Sequence, residues 1–102
     1  ASWCGPCMRE MPYLKETYKA FGGKNFEIVG FSLDDKDEDW RKAAASLPWV
    51  HCSDLQGFDS PVARIYNVQS IPSNFLVAPD GTIVEKNLRG DAVKQAVAKY
   101  VK

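Results

Sequence analysis

The feature that most constrains this chain is a pair of cysteines two residues apart, Cys4 and Cys7, in the segment Trp3-Cys4-Gly5-Pro6-Cys7. A long helical pattern follows, and Pro6 suits a first helical turn because its missing N–H costs nothing there. If the helix begins near Cys4, then Cys7 follows about one turn later on the same face. The two sulfurs would then lie within disulfide reach of one another.

A helix start at Cys4 also predicts which thiol reacts. The free N–H groups and partial positive charge of a helix N-terminus stabilise a thiolate, which is the nucleophilic form of cysteine. We therefore predict that Cys4 is the attacking thiol and the more exposed of the two, with Cys7 as the resolving thiol. A Cys-x-x-Cys near a βαβ pattern is typical of redox proteins.

Length and composition narrow the other possibilities. The 102 residues are sufficient for one domain, 1–102, and the apolar fraction of 45% is ordinary for a globular chain. The 13 basic and 13 acidic residues cancel, which argues against a nucleic-acid partner. No apolar run is long enough to span a bilayer, and no signal-peptide pattern is present. Because the sequence starts directly at the cysteine motif, we expect it to be a segment of a longer precursor, with any signal or membrane anchor upstream.

The periodic patterns predict the order helix, strand, helix, short strand, short helix, hairpin, helix. The expected ranges are 5–21, 26–33, 37–47, 50–53, 61–66, 73–78 with 82–87, and 91–101. The strand 26–33 is almost continuously apolar, which favours a strand buried on both faces in a parallel sheet.

Two aspartates, Asp34 and Asp35, follow that strand. A carboxylate at the C-terminal end of a strand is where sites form in α/β sheets. Acidic residues also suit a turn and the N-terminus of a helix, and the helix that starts at Asp37 makes this second interpretation the favoured one.

His51 and Cys52 would complete a Cys3His zinc set with Cys4 and Cys7. The spacing argues against zinc, because structural sites take their ligands in spaced pairs and adjacent residues on a strand point to opposite faces. We predict no metal. Cys52 is then a small buried hydrophobe or a half-buried free thiol, and His51 a surface residue.

The motif Trp3-Cys4-Gly5-Pro6-Cys7 resembles the active site of thioredoxin-fold oxidoreductases. Pro12, five residues after Cys7, is similar to the helix-kinking proline of thioredoxins, and Ile71-Pro72 resembles their cis-proline loop. The stretch 75–90 with its Pro-Asp-Gly turn is most similar to the TlpA/ResA-like branch of bacterial envelope thiol–disulfide oxidoreductases, which is related to the AhpC/TSA redoxins.

The resemblance implies an α/β thioredoxin-like fold, with a mixed central sheet flanked by helices. In that family a strand immediately precedes the cysteine motif, whereas here nothing precedes Ala1. We therefore expect a gap or an uncovered edge in the sheet. The acid that thioredoxins carry on that strand cannot be assigned to any residue of this chain.

The resemblance also implies the function of a thiol–disulfide oxidoreductase in the bacterial cell envelope. Its redox group would be the Cys4–Cys7 disulfide, with no other cofactor. Its partners would be a protein disulfide substrate and an upstream thiol reductant.

The resemblance also implies that five further residues bind the substrate. Trp3 would form an apolar wall beside the sulfurs. Gly5 and Pro6 between the cysteines are similar to those of the reducing members of the superfamily. A cis peptide before Pro72 would present the backbone of Ile71 to an extended substrate.

Two alternatives stay open on the sequence. A thiol-dependent peroxidase would share the fold, although its nucleophile usually lies in a Thr-x-x-Cys context that this chain lacks. A non-catalytic partner-binding module would carry Cys4–Cys7 as a structural disulfide, which would resist dithiol exchange.

Overall fold

The computed structural model describes residues 1–101. In chain order the elements are α1 (Gly5–Phe21), β1 (Val29–Ser32), α2 (Asp37–Ala44), β2 (Val50–Ser53), a 3-10 helix (Gly57–Asp59), α3 (Pro61–Ile65), β3 (Phe75–Val77), β4 (Ile83–Lys86) and α4 (Asp91–Tyr100). The predicted order of helices and strands is confirmed, and the 3-10 helix was not predicted. Over these residues no helix has both the length and the apolar character that crossing a membrane requires.

The strands form two separate pairs. β1 and β2 are parallel, in register from Val29 opposite Val50 to Ser32 opposite Ser53. β3 and β4 are antiparallel, with an irregularity between Leu76 and Val77. Within residues 1–101 no strand links one pair to the other, so the expected mixed sheet contains the gap anticipated from the sequence.

The prediction of a long first strand buried on both faces is wrong. β1 has four residues, and its first residue, Val29, is 62% exposed. Over the described residues β1 hydrogen-bonds to β2 alone, and a two-stranded sheet leaves part of each face uncovered. The apolar sequence thus overstated how much of this segment is enclosed.

The first helix, α1, packs against the last helix, α4. Val93 and Val97 of α4 are buried, at 7% and 2% exposure. The carboxylate of Glu10 in α1 accepts the backbone N–H of Gly90, at 3.1 and 3.0 Å from its two oxygens. Thr17, also in α1, is fully buried and donates its hydroxyl to the carbonyl of Tyr13.

Replacing Val97 by alanine tests this packing. The loss of two buried methyl groups should lower the free energy of unfolding by about 1–3 kcal/mol. The same substitution at Val50, which is 52% exposed on β2, is the matched control and should cost less than about 1 kcal/mol. Urea denaturation of both variants measures the difference, and equal losses would contradict the assigned core.

Candidate active site

Cys4 is the N-cap residue of α1, as the sequence predicted. Its backbone is extended, with φ −90° and ψ 104°, and its sulfur accepts the backbone N–H of Cys7 at 3.2 Å. The two sulfurs form a disulfide, with the Cα atoms 5.2 Å apart. The helix start therefore brings the two cysteines together.

The two cysteines are equally enclosed, each with 5% of its surface exposed. The expectation that Cys4 is the more exposed residue is thus wrong for the disulfide form. The reason is the cap itself, because the Cys4 sulfur is turned towards the N–H groups of its own helix. Gly5 and Pro6, between the cysteines, are exposed and form the outer surface here.

The N-terminus of α1 supplies a partial positive charge at the cap. No acidic residue lies in the first turn of α1, so the partial positive charge of the helix end is not offset from within the helix. The guanidinium of Arg9 folds back over Gly5, since a methyl group built on Gly5 would lie 3.3 Å from Nη1 of Arg9. The position of Arg9 beside Gly5 was not predicted from the sequence.

Trp3 lies beside the cysteines, is 56% exposed and is paired with Phe58. The two ring centroids are 6.3 Å apart with an interplanar angle of 49°. Phe58 is itself 46% exposed on the 3-10 helix, so the apolar wall predicted from Trp3 includes a second ring. In the sequence this segment shows only turn signals. The aromatic residue among them was the clue to its position.

The Ile71–Pro72 peptide bond is cis, as the resemblance implied. Both residues are half-buried, and the guanidinium of Arg89 donates a hydrogen bond to the carbonyl of Pro72. The side chain of Asn74 exchanges two hydrogen bonds with the backbone of Leu88, at 2.8 and 2.9 Å, and ties the loop to the segment before α4. That this loop lies against the Cys4–Cys7 pair stays a prediction.

Asp34 reaches from the end of β1 to the segment that precedes Cys4. Its carboxylate accepts the backbone N–H of Ser2, at 3.0 and 3.1 Å from its two oxygens, and the Ser2 hydroxyl at 2.5 Å. The hydroxyl of Ser32 donates to the same carboxylate at 2.5 Å. Asp34 is 2% exposed, so these contacts hold a buried charge.

The interpretation of Asp34 as part of a helix cap is therefore wrong. The N-cap of α2 is Lys36, without a side-chain hydrogen bond, and the acidic first turn begins at Asp37 as predicted. Asp34 instead turns inward, because the two serines supply the donors that a buried carboxylate requires. The sequence did not reveal this, since Ser2 lies 32 positions away.

Hydrogen bonds determine the ionisation of Asp34. Burial raises the pKa of its carboxyl, but the hydrogen bonds from Ser2 and Ser32, together with the positive charge of the Ala1 amino group, outweigh burial and leave the pKa below its usual 3.8. Asp34 is accordingly ionised at neutral pH.

The four residues considered as zinc ligands, Cys4, Cys7, His51 and Cys52, do not form a metal-binding cluster. Among residues 1–101 no three metal-ligating side chains lie close enough to hold an ion. Cys52 is exposed, so the expectation of a buried or half-buried thiol is wrong; its side chain points outward from β2. His51 is half-buried rather than at the surface, with Nε2 3.2 Å from the carbonyl of Leu47.

A helix-capping dithiol, a cis-proline loop and this α/β order together define the class of redox proteins built on the thioredoxin-like fold. The chain belongs to the thioredoxin-like family, whose model matches residues 1–83. This match confirms the resemblance to thioredoxin-fold proteins that the motif indicated.

Several of the relatives are named thiol–disulfide oxidoreductases. The chain is 30% identical to the thiol-disulfide oxidoreductase ResA of Bacillus thuringiensis over 99% of its own length and 57% of that protein. It thus spans little more than half of this curated relative. It superimposes with a TM-score of 0.91 and 38% identity on the thioredoxin domain of a thiol-disulfide oxidoreductase from Bacteroides vulgatus, covering 99% of this chain and 74% of that one. A thiol-disulfide oxidoreductase from Bacteroides fragilis gives a TM-score of 0.89 at 32% identity, covering 97% and 74%.

Replacing Asp34 by asparagine should change the acid stability of the protein. The folded-state pKa of Asp34 is lowered, so its stabilisation is complete above 3.8 and is lost as the pH falls below that value. Asp34→Asn should therefore lower the free energy of unfolding by about 1.5–3 kcal/mol at neutral pH, and the difference from wild type should shrink in acid.

Urea unfolding of both proteins at several pH values measures this difference. Asp35→Asn, at the exposed neighbouring position, is the matched control and should follow the wild-type profile. A difference between Asp34→Asn and wild type that stays constant with pH would contradict the assigned ionisation.

Proposed function

We propose that the chain is the redox domain of a thiol–disulfide oxidoreductase whose substrate is a protein disulfide. The observation that carries the proposal is the Cys4–Cys7 disulfide across the first turn of α1, with Cys4 as the cap. The names of the relatives support the same activity.

The reaction follows from the positions of the two sulfurs. In the reduced domain the Cys4 thiolate attacks one sulfur of the substrate disulfide, breaking that bond and releasing one substrate thiolate. The Cys7 thiolate then attacks Cys4 in the mixed disulfide, which releases the second substrate thiolate and closes the Cys4–Cys7 bond. Two electrons pass to the substrate, and the released thiolates take up protons from solvent. An upstream dithiol reductant restores the reduced pair.

The surface around the dithiol supplies the substrate contacts. Trp3, with Phe58 behind it, offers an apolar wall, and exposed Gly5 and Pro6 let another chain approach the sulfurs closely. The backbone of Ile71 before the cis bond to Pro72 would pair with an extended substrate segment.

We further propose the reducing direction and a site of action in the bacterial cell envelope. The Gly-Pro pair between the cysteines supports reduction, although partners and compartment set the final direction. The similarity to ResA and to a DsbE thiol:disulfide interchange protein of Chlorobium tepidum supports the location. The Cys4–Cys7 pair would act without a bound cofactor.

Single cysteine variants test the two roles. Cys4→Ser should reduce insulin disulfides no faster than dithiothreitol alone, because the nucleophile is gone. Cys7→Ser should instead accumulate a mixed disulfide between Cys4 and the substrate, since the resolving thiol is missing. Mass spectrometry under non-reducing conditions detects the adduct.

Two outcomes would contradict this assignment. One is full insulin reduction by Cys4→Ser. The other is an adduct formed at Cys7 in the Cys4→Ser protein but not at Cys4 in the Cys7→Ser protein. Consumption of hydrogen peroxide at a rate comparable to disulfide reduction would favour the peroxidase alternative.

Cys52 should take no part in turnover. It is exposed on strand β2 rather than placed at a helix N-terminus, and it is not disulfide-bonded. Cys52→Ala should therefore keep the insulin-reduction rate within about twofold of wild type. A loss of cycling with an unchanged circular dichroism spectrum would instead indicate a three-thiol mechanism.

A further inference from the structure

The buried carboxylate of Asp34 is not used by the dithiol chemistry described above. It is 2% exposed, and it accepts hydrogen bonds from Ser2 and Ser32. A buried charge is costly unless its hydrogen bonds are made, so its presence beside the segment that leads to Cys4 requires an explanation.

The contacts of Asp34 converge on one residue near the site. Ser2 donates both its backbone N–H and its hydroxyl to the carboxylate. Ser2 lies inside a tight turn that is closed by a hydrogen bond from the Cys4 N–H to the Ala1 carbonyl at 3.1 Å. The turn ends at Cys4, whose extended backbone is what places its sulfur over the first turn of α1.

We propose that Asp34 is a positioning residue for Cys4. By holding Ser2 through both its backbone and its side chain, the carboxylate fixes the turn that presents the Cys4 sulfur to the N–H groups of α1. In the reduced protein this arrangement stabilises the Cys4 thiolate. The inference deepens the proposed function, and its importance for turnover rests on that function.

The donor pattern explains why a carboxylate is needed. Each oxygen of Asp34 accepts from more than one donor, and each carboxylate oxygen has the lone pairs to do so. An asparagine would direct an NH2 group at one of these donors, so Asp34→Asn removes the charge and breaks the hold on Ser2. Ser2→Ala breaks the side-chain part of the hold and leaves the charge in place.

The two substitutions therefore separate positioning from simple electrostatics. A negative charge acting directly on the dithiol would disfavour the thiolate, so its removal would lower the pKa of Cys4. Loss of positioning would raise that pKa, because the sulfur would lose its place at the helix end. If Asp34 acts by positioning, the pKa of Cys4 should rise in both variants. If its charge acts directly, that pKa should fall in Asp34→Asn and change little in Ser2→Ala.

The test measures the rate at which iodoacetamide modifies Cys4 in the reduced protein across about pH 5 to 9, read by peptide mass spectrometry. Ser2→Ala and Asp34→Asn should each raise the midpoint of this rate–pH curve by about half a pH unit. At pH values below the midpoint, Cys4 is then modified about threefold more slowly. Ser2→Thr keeps the hydroxyl and should restore the wild-type profile. Thr17→Ala is the control for general destabilisation, since Thr17 is buried in α1 and its side chain hydrogen-bonds within that helix; its midpoint should stay at the wild-type value.

Unchanged midpoints in folded Ser2→Ala and Asp34→Asn would overturn the proposal, and so would a lowered midpoint in Asp34→Asn. If Asp34→Asn does not fold, Ser2→Ala against Ser2→Thr decides the matter alone. Alkylation requires no substrate, so failure of the proposed function would appear separately, as absent insulin reduction with the predicted pH shifts intact.

Discussion

The structure of the site depends on the cap of α1, where a sulfur occupies the position that an Asp, Asn, Ser or Thr oxygen fills in most helices. Because Cys4 accepts the N–H of Cys7, the contact that starts the helix also aligns the two atoms that must bond. The cap requires an extended residue before the helix, and the turn held by Ser2 and Asp34 supplies it. The same hydrogen bond therefore starts the helix and brings the two sulfurs together.

Segments that are far apart in sequence form the rest of the site. The aromatic pair of Trp3 and Phe58 forms one apolar boundary. Arg89 donates a hydrogen bond to the Pro72 carbonyl of the cis-proline loop, and the Asn74 side chain ties that loop to the backbone of Leu88. Both segments are short, and in the cis-proline loop side-chain hydrogen bonds replace regular backbone pairing.

Sequence reasoning succeeded where a local rule was sufficient. The cysteine spacing, Pro6 and the periodic apolar residues located α1, and the resemblance supplied the cis bond before Pro72. It failed where side chains meet across the chain: Phe58 with Trp3, Arg89 with Pro72, and Asp34 with Ser2. The burial of β1 was overestimated for a related reason, because an apolar run shows what could be covered and not which neighbours are present.

The link between Glu10 and Gly90 has a consequence for the order of folding. Its partners are 80 positions apart, and α4, against which α1 packs, ends at Tyr100. During synthesis α1 is therefore made well before Gly90 and α4, so its packing against α4 can form only after those residues have been made. Closing so long a loop costs more entropy than closing a short one and slows formation of the contact. The dithiol at the start of α1 is thus synthesised well before the helix against which α1 packs.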